Sequence, residues 1–336
     1  MSLRACFAVL EAGQPLPTET VDGAFREIMD GVAAHDDIKR FLTLTTPLMH
    51  DPSLIASGAR ALRSRMVGLT APAGAVDVCG TGGDGAHTLN ISTAVAFVVA
   101  GCGVPVAKHG NRAMSSKSGA ADVLEALGVR LTGDIALLER CLREARVAFL
   151  FAQNHHPAMR HVALARREIG KRTIFNLLGP LSNPAGVKRQ LVGVFSADFV
   201  DPVAGALHQL GCEKALVVHG AGGLDELSAA GQDANCVATL DGGQIAHQPA
   251  TRAADVHPDL RGGAAQENAE EMRAMLSGGG RPGHRAAVLI NAAAALFVAG
   301  RAAGVVEGHR LAIESLDSGA AREALACLIE VSRSAP

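Results

Sequence analysis

Val76-Asp77-Val78-Cys79-Gly80-Thr81-Gly82-Gly83-Asp84-Gly85 runs into Thr88-Leu89-Asn90-Ile91-Ser92-Thr93 and then into the apolar segment Ala94 to Ala100. The order reads as a strand, a glycine-rich loop and a helix start. Glycines expose backbone N–H groups, and a helix N-terminus carries partial positive charge, so the loop suits a phosphate or diphosphate. A plain strand-to-helix reversal uses glycines too, and the loop alone does not separate binding from turning.

A second loop adds to the first. After Val104 to Ala107 comes Lys108-His109-Gly110-Asn111-Arg112-Ala113-Met114-Ser115-Ser116-Lys117-Ser118-Gly119, again between a strand candidate and a helix candidate, Ala120 to Leu127. Lys108 and Arg112 offer charge to phosphate, while Asn90, Asn111, Thr93, Ser115 and Ser116 offer neutral hydrogen bonds. Two such loops can close on one polyanion. Further along, Asp225-Glu226 follows the strand candidate Lys214 to His219 and a Gly222-Gly223 turn. Magnesium favours oxygen ligands and combines one or two carboxylates with water and substrate phosphates. An isolated acidic pair is usually a solvated surface feature; the two loops are what make this one a metal candidate.

The first 70 or so residues have helical spacing and little strand character, with Val21, Phe25, Ile28 and Val32 on one face. From Val76 onward β-branched runs alternate with helical stretches. Val104 to Ala107, Val147 to Ala152, Gln190 to Phe195 and Lys214 to His219 are strand candidates, which predicts an α/β fold with a mostly parallel sheet covered by helices. Asp241-Gly242-Gly243 lies between Cys236 to Leu240 and Gln244 to His247 and predicts an antiparallel hairpin. Gln266 to Ser277, Arg285 to Gly300 and much of Val305 to Val331 read as helices.

At 336 residues the chain exceeds the usual span of one core. Its 48% hydrophobic and 19% charged residues fit a packed globule, and a net charge of -2 argues against a mainly electrostatic grip on nucleic acid. The seven cysteines form no CxxC pair and fit buried thiols rather than a disulfide framework or a structural zinc site. Met1 to Thr20 makes a poor secretory signal, and the apolar run Ala286 to Gly300 is short for a bilayer span. The expectation is a cytoplasmic protein with no nucleic-acid or membrane partner.

Six blocks together resemble the anthranilate phosphoribosyltransferase family. They are Gly80 to Asp84, Asn90 to Thr93, Lys108 to Ser116, His156-Pro157-Ala158-Met159 leading to Arg166, Phe175 to Pro184, and Gly223-Leu224-Asp225-Glu226, in the family's order from about Val76 to the C-terminus. The resemblance implies a nucleoside phosphorylase-like phosphoribosyltransferase fold, with a small discontinuous helical domain (1–72 and 156–186) and a larger α/β domain (73–155 and 187–336). It also implies a homodimer formed through the helical domain and an active site between the domains. The implied reaction is attack by the anthranilate amine on the ribose C1 of phosphoribosyl pyrophosphate, with loss of pyrophosphate, in tryptophan biosynthesis.

By the same resemblance, Gly80, Gly83, Asp84, Thr88, Asn90, Ile91, Ser92, Thr93, Lys108, His109, Gly110, Asn111, Arg112, Ala113, Met114, Ser115, Ser116 and Ala120 bind phosphoribosyl pyrophosphate. Ala120 offers only backbone or packing. Gly80, Asn111 and Arg166 face anthranilate, with Arg160 and Arg167 as competitors for its carboxylate. Asp225, Glu226 and Ser92 hold magnesium, two ions per subunit. No general base is assigned, since an aromatic amine attacks while neutral. Phe41 to Pro52 departs from the family's Lys-Gly-x-Thr-like stretch, and a proline common before Arg166 is missing; both bear on the dimer surface and the anthranilate channel. A pyrimidine-nucleoside phosphorylase is the alternative enzyme, disfavoured by Asp225-Glu226 and the Lys108 to Arg112 block. A nucleic-acid-binding relative without catalysis would need a strongly basic cleft.

Overall fold

A computed structural model describes residues 3–113 and 117–334. Seven strands form one sheet: β1 (Val76–Gly80), β2 (Val106–Gly110), β3 (Val147–Phe151), β4 (Arg189–Gly193), β5 (Lys214–His219), β6 (Cys236–Asp241) and β7 (Gln244–Gln248), in the order β3-β2-β1-β4-β5-β6-β7. The first five are parallel, and β6 and β7 add an antiparallel hairpin at one edge. The hairpin and the mostly parallel sheet match the sequence expectation, while β2 runs on to Gly110 and so carries Lys108 and His109 within the strand.

Strand alternation distributes the core. Val78, Leu191, Leu216 and Val218 point into one apolar cluster; Cys79, Val192 and Val217 point into another on the opposite face. Burial on both faces explains why these strands read as unbroken apolar runs. The first cluster is closed by helices Ile91–Gly101, Pro282–Ala299 and Ala320–Arg333. Pro282–Ala299 is long and apolar enough to cross a membrane, and it is largely buried inside the protein.

The second face carries helix Val200–Gln209 and the N-terminal helices. Between β3 and β4 the chain leaves the sheet: helix Arg160–Ile169 packs on Thr18–Met29 and His35–Thr45, and Phe175–Leu178 packs on Pro52–Arg63. Phe25 meets Phe41 and Phe175 edge-on, at 5.1 and 6.1 Å between ring centroids. Val21, Phe25 and Ile28 are buried as their spacing predicts, but Val32 is 73% exposed, because the helix ends at Met29 and its periodicity no longer applies.

The path from β1 through β2 to β3 builds outward on one side, and β4 then returns to the other side of β1. Ligands of open α/β sheets bind beyond the carboxyl ends of strands at such a reversal. Gly80 and Gly193 are register partners at that point, the ends of β1 and β4.

Candidate active site

Three strand-end glycines hold open a trough for the acidic pair. A Cβ on Gly80 would lie 2.2 Å from Asp225 Oδ2, one on Gly193 1.4 Å from the Asp225 carbonyl oxygen, and one on Gly220 2.2 Å from the Glu226 carbonyl oxygen. Only hydrogen fits at each place. The chain after β5 therefore crosses the reversal point itself and sets both carboxylates against the glycine-rich loop. Gly82 N–H donates to Asp225 Oδ2 at 2.7 Å, and Ser92 N–H, in the first turn of Ile91–Gly101, donates to Glu226 Oε1 at 2.8 Å.

These two bonds do not neutralise the cluster. Burial, reinforced by Asp84, pushes the Asp225 carboxyl up to about 7, and burial with Asp225 beside it raises Glu226 well above the ordinary range. Lys108 is 3% exposed and its Nζ donates to Val78 O at 2.8 Å and Ser92 Oγ at 3.1 Å. Burial lowers its pKa, opposed chiefly by Asp77. The lysine lies under the helix start rather than on the loop surface. A narrow crevice of only about 10 Å³ lies beside the pair, lined by Ser92, Gly193, Asp225, Glu226 and Asn291 among others.

The donor set fits a magnesium ion. It consists of crowded carboxylate oxygens and a serine hydroxyl, all hard ligands, whose like charges a divalent cation would offset. Among the described residues no group of three or more His, Cys, Asp and Glu forms a closed metal cage. Magnesium that shares its coordination with substrate phosphates needs no such cage.

The loop from Lys108 is fixed at both ends. Ala113 N–H and Gly119 N–H both donate to Asp122 Oδ2, at 3.1 and 2.8 Å, and Ala121 N–H donates to Asn111 O at 3.3 Å. Met114, Ser115 and Ser116 lie outside the described residues. The Arg112 guanidinium pairs with Asp122 at 2.8 Å and Glu125 at 2.5 Å and lies 5.5 Å from the Phe151 ring. Both carboxylates lie on the following helix, and the pairing is solvent-exposed. Asn111 is exposed just beyond the end of β2, and Ala120 is the first residue of the next helix.

His109 is 5% exposed, with Nδ1 3.1 Å from Gly179 O and Nε2 3.1 Å from His156 Nε2. Burial, and next the neighbouring His156, push its pKa down to about 3, so the ring is neutral. His155 is buried, with Nδ1 2.6 Å from Val67 O. Thr88 bridges to Arg261, and Leu89 N–H donates to Leu260 O at 2.7 Å, which fixes the approach to Asn90 from a distant segment.

Arg160, Arg166 and Arg167 share one helix but not one environment: Arg166 alone is half-buried, and the others are exposed. Its guanidinium sits 5.9 Å from the Phe175 ring with no carboxylate in ion-pair range among the described residues. Burial lowers its pKa. A partly desolvated, unpaired guanidinium suits a ligand carboxylate.

Residues 73–322 match the model of a glycosyl transferase family, a/b domain. The anthranilate phosphoribosyltransferase of Rhodospirillum rubrum is 48% identical over 334 residues, covering 98% of this chain and 95% of the relative. That of Rubrobacter xylanophilus is 47% identical over 336 residues, with 98% of each chain covered. This chain belongs to the anthranilate phosphoribosyltransferase family. Solved structures agree: the Thermus thermophilus anthranilate phosphoribosyltransferase superposes with a TM-score of 0.89 at 38% identity, covering 98% of this chain and 99% of that one. The Saccharomyces cerevisiae anthranilate phosphoribosyltransferase in complex with PRPP and Mg gives 0.86 at 26% identity, with 99% and 98% covered.

Several residues around the crevice have no signal in the sequence pattern. Asn291 Oδ1 accepts from Leu227 N–H at 2.9 Å and its Nδ2 donates to Leu227 O at 2.8 Å, clamping the backbone just after Glu226. Asp77 accepts from His109 N–H at 3.1 Å and from Asn183 Nδ2 at 2.7 Å, joining β1, β2 and the end of the Phe175 to Pro184 block. Arg172 lies 4.2 Å from the Phe195 ring and donates to Gly83 O, touching the glycine-rich loop from the helical side. None of these has a motif of its own; only the fold brings them to the crevice.

Proposed function

We propose that the crevice binds phosphoribosyl pyrophosphate and anthranilate and transfers the phosphoribosyl group to the anthranilate amine, releasing pyrophosphate, in tryptophan biosynthesis. The observation that carries the reading is the acidic pair held at the sheet's reversal point against the glycine-rich loop and the helix start. Backbone N–H groups of the Gly80 loop, the helix start at Asn90 to Thr93 and the Lys108 loop hold the phosphates. Asp225, Glu226 and Ser92 hold magnesium, with two ions per subunit, and bound magnesium offsets charge on the leaving diphosphate. Arg166 binds the anthranilate carboxylate, turning the amine toward ribose C1. The C1–N bond forms as the C1–O bond to diphosphate breaks, and the amine loses its proton. Neutral His109 packs beside the loop and carries no charge to the substrate. Orientation and leaving-group stabilisation then supply the catalysis.

We also propose that 1–72 and 156–186 form one helical domain and that 73–155 with 187–336 form the α/β domain, the two buried clusters supporting that division. A homodimer through the helical domain is supported by Val32 and Leu164, 73% and 51% exposed on that layer. A solution mass equal to one 34.4 kDa chain would reject it. A cytoplasmic location fits this biosynthetic role.

The test of the site is the double substitution Asp225→Asn with Glu226→Gln. It removes ligand charge with little change in volume, so turnover should fall more than about a hundredfold at limiting magnesium, while the melting temperature is kept. Near-normal turnover in the folded variant would reject the assignment.

A further inference from the structure

We propose that Asn268 is a positioning residue that fixes which end of the Asn90 amide faces the ligand and ties the two phosphate loops into one unit. The inference rests on the reading of the crevice as a phosphoribosyl pyrophosphate site. Asn268 is 2% exposed, in the helix Ala265–Leu276, and its amide reaches three different segments. Oδ1 accepts from Gly263 N–H at 2.7 Å, and Nδ2 donates to Asn90 Oδ1 and to Ser118 Oγ, each at 3.0 Å. Ser118 Oγ in turn donates to Asn90 Oδ1 at 3.4 Å. Asn90 immediately precedes the helix Ile91–Gly101, and Ser118 closes the Lys108 loop.

Polarity is dictated from the backbone. Gly263 N–H can only donate, so the Asn268 atom facing it is the oxygen, and the two amide hydrogens face Asn90 and Ser118. Asn90 therefore meets Asn268 with its own oxygen. Its NH2 group is left on the other side, with no protein acceptor among the described residues. An NH2 group beside a helix N-terminus donates to an anion, whereas the reversed amide would set an oxygen against phosphate oxygens. Aspartate at 268 would keep the Gly263 bond but oppose an oxygen to the Asn90 oxygen. Leucine would leave Gly263 N–H and Asn90 Oδ1 without this partner.

The experiment measures steady-state kinetics and amide hydrogen exchange on wild type, Asn268→Asp, Asn268→Ala and Ser118→Ala. The KM for phosphoribosyl pyrophosphate should rise about tenfold or more in both Asn268 variants, as for other residues that orient a ligand-binding group. Ser118→Ala should show a smaller rise, and the KM for anthranilate should move less than about threefold. Exchange should quicken in 88–92 and 117–119 together, with 272–276 still protected. Unchanged loop exchange and an unchanged KM for phosphoribosyl pyrophosphate in folded Asn268→Asp would overturn the proposal, as would equal losses for both substrates. Should Asn268→Ala not fold, Asn268→Asp and Ser118→Ala decide the same question. A wild-type protein inert toward phosphoribosyl pyrophosphate would reject the reading of the site, while the exchange data would still show whether Asn268 couples the loops.

Discussion

At the residue scale, charge and burial separate groups that look alike in sequence. Arg166 is one of three arginines within eight positions, and half-burial over Phe175 sets it apart. Arg166→Ala should remove a charge-assisted contact of about 1.5–3 kcal/mol, roughly a ten- to hundredfold loss in anthranilate affinity. Phosphoribosyl pyrophosphate affinity should change much less, and calorimetry with both ligands checks this; equal losses would mean general damage to the cleft. Asp225 makes a second prediction. Burial and Asp84 raise its pKa to about 7. A carboxyl raised on folding contributes stability that is full below its unfolded value of about 4 and is lost as pH rises through the folded value. In chelator, the melting temperature should therefore fall between pH of about 4 and about 7, less so in Asp225→Asn, and added magnesium should restore it most at the alkaline end. An identical profile for wild type and variant would contradict the assignment. Sequence could point to Asp225 because its neighbours form a motif, but it gave no sign that Arg112 pairs with Asp122 and Glu125, which lie 10 and 13 positions away.

At the element scale, the site is made by where strands end. β1, β4 and β5 finish beside one another, and glycine at or just beyond each end lets the chain after β5 fold back over them. Gly193→Ala tests this, because its Cβ would fall 1.4 Å from the Asp225 carbonyl oxygen and force the acidic pair to move. Displacement near an ångström at reacting groups costs up to about a hundredfold, so activity should drop more than about tenfold. Gly304→Ala, where nothing lies within 4 Å, is the control and should stay near wild type. Activity in Gly193→Ala equal to the control would show that the trough is not needed. The β-branched runs made the strands and the hairpin legible. Gly193, Asn268 and Asn291 were not, because each acts across a distance in sequence that only the strand order closes.

At the scale of the whole molecule, the sheet sets the Gly80 and Lys108 loops, the N-terminal helices cover its second face, and the segment between β3 and β4 returns to those helices with Arg166. Local motifs announced the loops, but no periodicity announced that the helices Arg160–Ile169 and Phe175–Leu178 pack on the N-terminal helices. Pro282–Ala299 shows the same dependence on context, an apolar helix whose length fits a membrane and whose surroundings are core. The proposed reaction joins two substrates, and the account stands on their joint consumption. The most direct measurement follows anthranilate fluorescence and pyrophosphate release together, with phosphoribosyl pyrophosphate and magnesium each present or withheld. Loss of fluorescence matched mole for mole by pyrophosphate, and only when both are present, is the predicted result. Persistent anthranilate fluorescence in the complete mixture, with the protein folded, would contradict the account.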